Sequence, residues 1–241
     1  MNEKSIVSLY VVQENDTIES ICEKFKIDKE TLFRYNPLLK TKLLHQGMPL
    51  TIVTKNEIIA ERKVSKKVPN EEEFNKILRD IAYYLKEGIA SNAFYETNLE
   101  PVVNELETLY SSLADLFVKF SDPKKKEQLI AFLKDIEQQY FKIIPLLKKK
   151  DPELIKKYEN NLEITTNELV SFLEGVEESL VDKNLINVVH RIIDLFNLLA
   201  LKFLTLKFSS AQRIFKEILK QIEQLVSMID IKYKTTKQKE D

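Results

Sequence analysis

The chain has 241 residues, of which 44% are hydrophobic and 31% are charged, so it can bury a core of its own. Its formal net charge is −1, from 37 basic and 38 acidic side chains, and this balance argues against nucleic acid or an anionic membrane as a partner. Only 3 glycines and 7 prolines are present, and this scarcity favours a mostly helical fold over a turn-rich β fold.

The first part of the chain, residues 8–53, begins with a strand and a helix. The apolar run LYVV predicts a short strand. Asp16 or Thr17 then stands in the N-cap position of a helix whose apolar residues recur at helical spacing. The same device is repeated at Asp28, which predicts the cap of a second helix.

A stop signal and a second strand complete this part of the chain. Pro37 predicts that the second helix ends near Asn36, because proline cannot continue a helix and restricts the residue before it. Gly47 marks a turn, and the run PLTIV that follows predicts another strand. The resulting order, β-α-α-β in fewer than 50 residues, predicts a small α+β module.

A spaced series of residues in this module carries a family resemblance. The series consists of Tyr10, Val12, Asp16, Thr17, Ile18, Ile21, Cys22, Phe25, Ile27, Leu32, Asn36, Pro37, Gly47, Leu50 and Ile52. In these residues and their order the module resembles the LysM family, a small β-α-α-β carbohydrate-binding module. One departure is Asn15, since the family usually has glycine before the Asp-Thr pair. Asparagine tolerates φ > 0, so we expect the fold to survive, although a ligand that needs a bare backbone there would be hindered.

The resemblance implies a ligand class and a groove. The ligands would be N-acetylglucosamine-containing polymers, namely peptidoglycan or chitin. The groove would lie between the turn after the first strand and the segment after the second helix. The candidate glycan-binding residues on matching positions are Asp16, Thr17 and Ile18 on one side, and Asn36, Pro37, Leu38 and Leu39 on the other. Asp16 and Thr17 could instead act only as helix caps, and Asn36 and Pro37 only as helix-stop residues.

The rest of the chain predicts an all-α bundle. Residues 54–73 are charged and lack a period, so they are interpreted as a linker, and 234–241 as a disordered tail. Between them, 74–233 follow a helical pattern that predicts about six helices, near 71–95, 97–120, 123–148, 152–180, 183–207 and 209–233. NLEPVVNELETLY from Asn98 resembles NLINVVHRIIDLF from Asn184, which indicates a duplicated three-helix unit, with chance similarity as the alternative.

The fifth helical segment is apolar almost all round. Its large apolar residues are Leu195, Phe196, Leu198, Leu199, Leu201, Phe203, Leu204, Leu206 and Phe208. A surface helix needs only one apolar stripe, so this helix is expected either to be central in the bundle or to be covered by a protein partner or a second copy. Its polar interruptions argue against a membrane span.

No catalytic or cofactor signature is present. The sequence lacks G-x-S-x-G, H-E-x-x-H, Walker and G-x-G-x-x-G motifs, and one cysteine with two histidines argues against a zinc site. We therefore expect no enzyme activity, no metal and no cofactor. The start MNEKSIVSLYVV lacks the pattern of a signal peptide, which predicts a cytoplasmic protein, with the spore envelope as one destination.

Two functions from different classes fit these observations. The first is a non-enzymatic adaptor that binds glycan through the module and protein through the helices. The second is an intracellular structural or assembly protein, as in phage-tail-like particles, in which the module docks protein. A third possibility, a wall hydrolase, is disfavoured by the missing catalytic signature.

Overall fold

A computed structural model of the chain describes residues 4–36, 39, 44, 46–56, 69–94, 99–118, 124–175 and 183–240. The module has the predicted β-α-α-β order, with β1 at Lys4–Val11, α1 at Ile18–Phe25, α2 at Lys29–Tyr35 and β2 at Pro49–Asn56. The two strands pair antiparallel, with Tyr10 opposite Leu50. Both strands reach beyond the predicted limits of the module, 8–53.

The two short helices begin where the sequence places their caps. Thr17, not Asp16, is the N-cap of α1, and it shares a capping box with Ser20. Asp28 caps α2, and its carboxylate accepts a hydrogen bond of 2.6 Å from the Thr31 N–H. These side chains satisfy amide groups that have no partner inside the helix, so short helices can begin at fixed residues.

The module closes around a small apolar core from both strands, both helices and the connecting segments. Its buried members are Val12, Ile21, Leu32, Leu39, Met48, Leu50 and Ile52. Tyr10, Ile18 and Cys22 pack against this core from positions that are only partly buried.

Six long helices follow in the described part of the chain, as predicted. They are α3 at Pro69–Phe94, α4 at Glu100–Val118, α5 at Lys125–Lys149, α6 at Pro152–Glu174, α7 at Lys183–Leu204 and α8 at Phe208–Glu240. The boundaries differ from the prediction at two places. Part of the predicted linker, 54–73, belongs to β2 and α3, and its remainder, 57–68, lies outside the described residues.

The second place is the end of the chain, where α8 extends to Glu240 and overlaps the predicted tail, 234–241. Lysine, glutamine and glutamate are good helix formers, and lengthening an existing helix costs far less than starting one. The absence of apolar residues was therefore a poor guide to where this helix ends.

α3 is the central helix, and α7 is not. α3 contacts α4, α5, α7 and α8, and almost every side chain from Asp80 to Ser91 is buried. The two halves suggested by the internal similarity do not pack alike. α3, α4 and α5 pack on one another, whereas α6 packs mainly on α5, and α7 lies along α8.

The module rests on the bundle through α2 and both strands, with β1 contacting α8. Arg34 of α2 forms an ion pair of 2.9 Å with Asp80 of α3, and the ring centroids of Tyr35 and Tyr83 are 4.7 Å apart. Val53 of β2 belongs to the core of the bundle. The two parts therefore share an apolar interface in addition to their covalent connection.

Candidate functional site

The turn between β1 and α1 forms the described side of the candidate glycan site. Asn15 has φ 69°, so the residue that replaces the usual glycine adopts the left-handed backbone expected for it. The N–H of Asp16 donates to the Gln13 carbonyl at 3.3 Å, which closes the turn immediately before the Thr17 cap. The backbone that leads into α1 is thus fixed by local hydrogen bonds.

Asp16 is held by two hydrogen bonds that both end on its Oδ2 atom. The Tyr10 hydroxyl donates at 2.6 Å and the Gln13 N–H donates at 2.7 Å. The bond from Tyr10, followed by that from Gln13, lowers the pKa of Asp16, because both bonds favour the ionised carboxylate. At neutral pH this side chain is an acceptor with a fixed orientation.

Thr17 and Ile18 lie next to Asp16 and have different roles. The Thr17 hydroxyl accepts a bond of 3.0 Å from the Ser20 N–H, and the Ser20 hydroxyl accepts one of 2.9 Å from the Thr17 N–H. Thr17 is therefore engaged as a helix cap, although its side chain is exposed. Ile18 is half-buried against the module core, so part of its apolar surface remains available to a ligand.

Asn36 does not line a groove, contrary to the prediction. Its side chain is 0% exposed, and its Nδ2 atom donates to the carbonyls of Leu32 and Thr51, at 2.8 Å each. Its Oδ1 atom accepts from the Thr51 N–H at 2.6 Å. Asn36 therefore ties the end of α2 to β2, and its amide has no free group for a sugar.

Leu39 is also a core residue and not a groove residue. Its side chain is buried among the module's apolar residues, and its N–H donates to the Asn36 carbonyl at 3.0 Å. Burial of apolar surface is favourable, so a leucine near the end of a helix packs into the small core of the module. Pro37 and Leu38, the other two predicted residues on this side, lie outside the described residues.

Two residues outside the predicted site, Tyr10 and Lys24, are linked to Asp16 through hydrogen bonds. The ring of Tyr10 packs edge-on against Phe25, with centroids 5.1 Å apart. Its hydroxyl nevertheless reaches Asp16, and Lys24 Nζ donates to that hydroxyl at 3.0 Å. The available signal was a tyrosine at a strand end close to a carboxylate, because a buried tyrosine usually directs its hydroxyl to a polar partner.

Among the described residues, no group of three or more His, Cys, Asp and Glu side chains is arranged to hold a metal ion. Cys22 is partly buried, and burial raises the pKa of its thiol, which keeps it protonated and unreactive at neutral pH. The site therefore offers hydrogen-bond acceptors and apolar surface, which suit binding more than bond cleavage.

A family model for the LysM domain matches residues 10–53. LysM domains are glycan-binding modules for N-acetylglucosamine polymers such as peptidoglycan and chitin, and they are not catalytic. The model covers the module and no part of the helical bundle. No curated protein and no solved structure matches the chain.

Proposed function

We propose that this chain is a non-enzymatic adaptor whose module binds peptidoglycan or chitin and whose helical bundle binds a protein, with spore-envelope assembly as one setting. The observation that carries the proposal is the LysM match over residues 10–53. The ordered turn between β1 and α1 supports it, because Asp16 and the start of α1 are fixed there before any ligand arrives.

The described side of the site has the chemistry that an N-acetylglucosamine unit requires. The ionised carboxylate of Asp16 can accept a hydrogen bond from the acetamido N–H. The Ile18 N–H lies in the first turn of α1, where no helical carbonyl is available to it, so it can donate to a sugar oxygen. The exposed part of the Ile18 side chain can cover the apolar face of the ring. Pro37 and Leu38 remain the proposed contacts on the opposite side.

The outer face of α7 supports a protein-binding role for the bundle. Leu198 is 39% exposed, Leu201 is 46% exposed and Leu206, in the turn after the helix, is 65% exposed. Other leucines of α7 are buried against the bundle, whereas the exposed side of the helix is polar over most of its length and carries its exposed leucines near the C-terminal end. α7 is also long and apolar enough to cross a bilayer, but its packing against α3 and α8 accounts for its buried residues without a membrane.

The glycan proposal is tested by titrating the full chain with the N-acetylglucosamine hexamer, using calorimetry and amide chemical shifts. We expect weak binding that moves the amides of Asp16, Thr17 and Ile18. Asp16→Ala should weaken binding by about threefold to tenfold, because one charge-assisted hydrogen bond is lost. Asp28→Ala is the matched control, since it removes the cap carboxylate of α2 and leaves the turn intact.

Equal losses in the two variants would contradict the assignment of Asp16 to the site. A correctly folded wild-type chain that binds neither this hexamer nor peptidoglycan fragments would contradict glycan binding itself. That second result would favour the assembly function, in which the module docks protein.

A further inference from the structure

We propose that Tyr10 is a positioning residue of the glycan site, whose hydroxyl holds the Asp16 carboxylate in the orientation that a sugar amide meets. The inference rests on the proposed function of the module. It assigns a role to a hydroxyl group that neither the packing of the module nor its helix caps require.

The ring and the hydroxyl of Tyr10 make contacts with different parts of the module. The ring lies at the end of β1 and packs against Phe25 of α1. The hydroxyl projects from that contact to Asp16, which lies six residues later in the turn. Phenylalanine would keep the ring contact and lose only the bond to Asp16, so the two contributions can be tested independently.

Both bonds to the carboxylate end on the same oxygen. Tyr10 and the Gln13 N–H share Oδ2, and no other hydrogen bond to the Asp16 carboxylate is found within the described residues. A carboxylate has two oxygens with about four acceptor positions in total. Oδ1 is therefore left to accept from a ligand while Oδ2 fixes the plane of the group, and the half-exposed position of Asp16 allows access.

Lys24 sets the direction of the hydrogen-bond chain. Its Nζ atom is 3.0 Å from the Tyr10 hydroxyl oxygen and 4.4 Å from the centroid of the Tyr10 ring. An ammonium group can only donate, so the tyrosine oxygen accepts from Lys24 and its own hydrogen points to Asp16. Bonds in such a chain polarise one another, which strengthens the hold on the carboxylate. Tyr10 and Lys24 are the titratable groups that bear on Asp16, and both favour its ionised form.

The test compares three full-length proteins: wild type, Tyr10→Phe and Tyr35→Phe. Tyr35→Phe is the matched control, because Tyr35 is the module tyrosine whose ring packs on the bundle, away from the turn. The affinity for the N-acetylglucosamine hexamer is measured from pH 3 to pH 8. The Asp16 carboxyl is titrated by NMR without ligand, and circular dichroism checks folding.

We expect Tyr10→Phe to weaken binding by about threefold to tenfold at neutral pH, the loss typical of one hydrogen bond to a charged group. Without the hydroxyl, Asp16 should protonate at a higher pH. The pH below which binding is lost, the acid limit of binding, should therefore rise too. A residue that served only to pack the module would change affinity without moving this limit. Tyr35→Phe should change neither quantity.

The outcomes separate the two proposals. If the folded wild type binds neither the hexamer nor peptidoglycan fragments, the proposed function fails, and this inference fails with it. If the wild type binds and Tyr10→Phe has the same affinity and the same acid limit, the positioning role alone is refuted. Should Tyr10→Phe fail to fold, the affinity of Lys24→Met for the hexamer tests the proposal instead. An affinity about twofold lower than that of the wild type would support the chain of hydrogen bonds, and an unchanged affinity would overturn it.

Discussion

The module and the helical bundle bury polar side chains in different ways. In the module, Asn36 is fully buried, and both heavy atoms of its amide are paired with backbone groups of α2 and β2. In the bundle, Lys86 and Glu87 are buried on α3 with 3.7 Å between Nζ and Oε2, which is longer than a hydrogen bond. Glu137 on α5 is also buried, and its Oε2 atom has no hydrogen-bond partner among the described residues.

The comparison teaches that burial stabilises a neutral, fully paired group and penalises an ionisable one. The Asn36 amide exchanges hydrogen bonds with water for equivalent bonds to the protein and fixes the end of α2. Burial raises the pKa of Glu87 and lowers that of Lys86, because the charged form of each loses its hydration. Burial likewise raises the pKa of Glu137 to about 7.

The largest expected effect is that of Asn36→Ala in the module. The substitution leaves the Thr51 N–H and the Leu32 and Thr51 carbonyls buried without this partner, and it should cost about 3 kcal/mol of unfolding free energy. Urea denaturation measures the change. Gln13→Ala removes an exposed hydrogen bond to the Val11 carbonyl and should change stability by no more than about 0.5 kcal/mol. If Asn36→Ala lost less than about 1 kcal/mol, the amide would not hold this region together.

Glu137→Gln in the bundle should have the opposite sign and depend on pH. Burial raises the pKa of the native carboxyl to about 7, whereas the unfolded carboxyl releases its proton near its ordinary pKa of 4.5. Stability from this group is therefore full below pH 4.5 and is lost as the pH rises to about 7. Glutamine never ionises, so the variant should be more stable than the wild type by about 2 kcal/mol at pH 8, with little difference at pH 4.

Denaturation at both pH values tests this expectation, with Glu223→Gln as the matched control. Glu223 is an exposed residue of α8 that pairs with Arg79 at 2.8 Å, so its loss should cost no more than about 1 kcal/mol. A Glu137→Gln variant that is destabilised equally at both pH values would show that Glu137 is well paired in the native protein. The contrast between the two regions would then fail.

The smallest expected effects concern left-handed backbone in the two regions. Lysines adopt this conformation in both regions, at Lys26 and Lys150, but Asn15 at φ 69° is specific to the module and tolerates it, whereas Leu206 at φ 56° is specific to the bundle. Leu206→Gly should raise stability by about 1 kcal/mol, because the strain on a side chain is removed from an exposed position. Asn15→Gly should change it by only about 0.3 kcal/mol. Thermal unfolding measures both.

Thr205→Gly is the control for the substitution of Leu206. It places glycine one residue earlier, where the backbone does not have positive φ, and should reduce stability by up to about 1 kcal/mol. A gain in stability from Thr205→Gly, or a loss from Leu206→Gly, would show that backbone strain is not the cause. Asn15 in the module and Leu206 in the bundle would then not differ in how they accommodate positive φ.

The site was predictable where local chemistry decides the structure. Asp28 was recognisable as a capping residue from its position before an apolar run, and the other cap was limited to Asp16 or Thr17. Asn15 was recognisable as a residue for positive φ. Asn36 was recognisable as the end of a helix. Its burial was not, because that depends on Thr51, which lies fifteen residues away on β2.

The hydrophobic pattern of a helix did not predict where that helix lies in the bundle. α7 is the more apolar helix, and its sequence left open either a central position or coverage by a partner, yet Leu198 and Leu201 face solvent in the bundle. α3 carries Asp80, Lys86 and Glu87 and is nevertheless surrounded. Burial depends on how many neighbours enclose a helix, which a single helix cannot specify.

The sequence by itself determined the order of elements, the starts of the module helices to within one residue, and the LysM resemblance. The elements and their starts depend on interactions between residues a few positions apart. The tertiary structure alone decided that Asn36 and Leu39 are buried, that Tyr10 reaches Asp16 and that α3 is central. Each of these facts joins segments distant in the chain or depends on competition for a limited core, so the physical reason is packing in three dimensions.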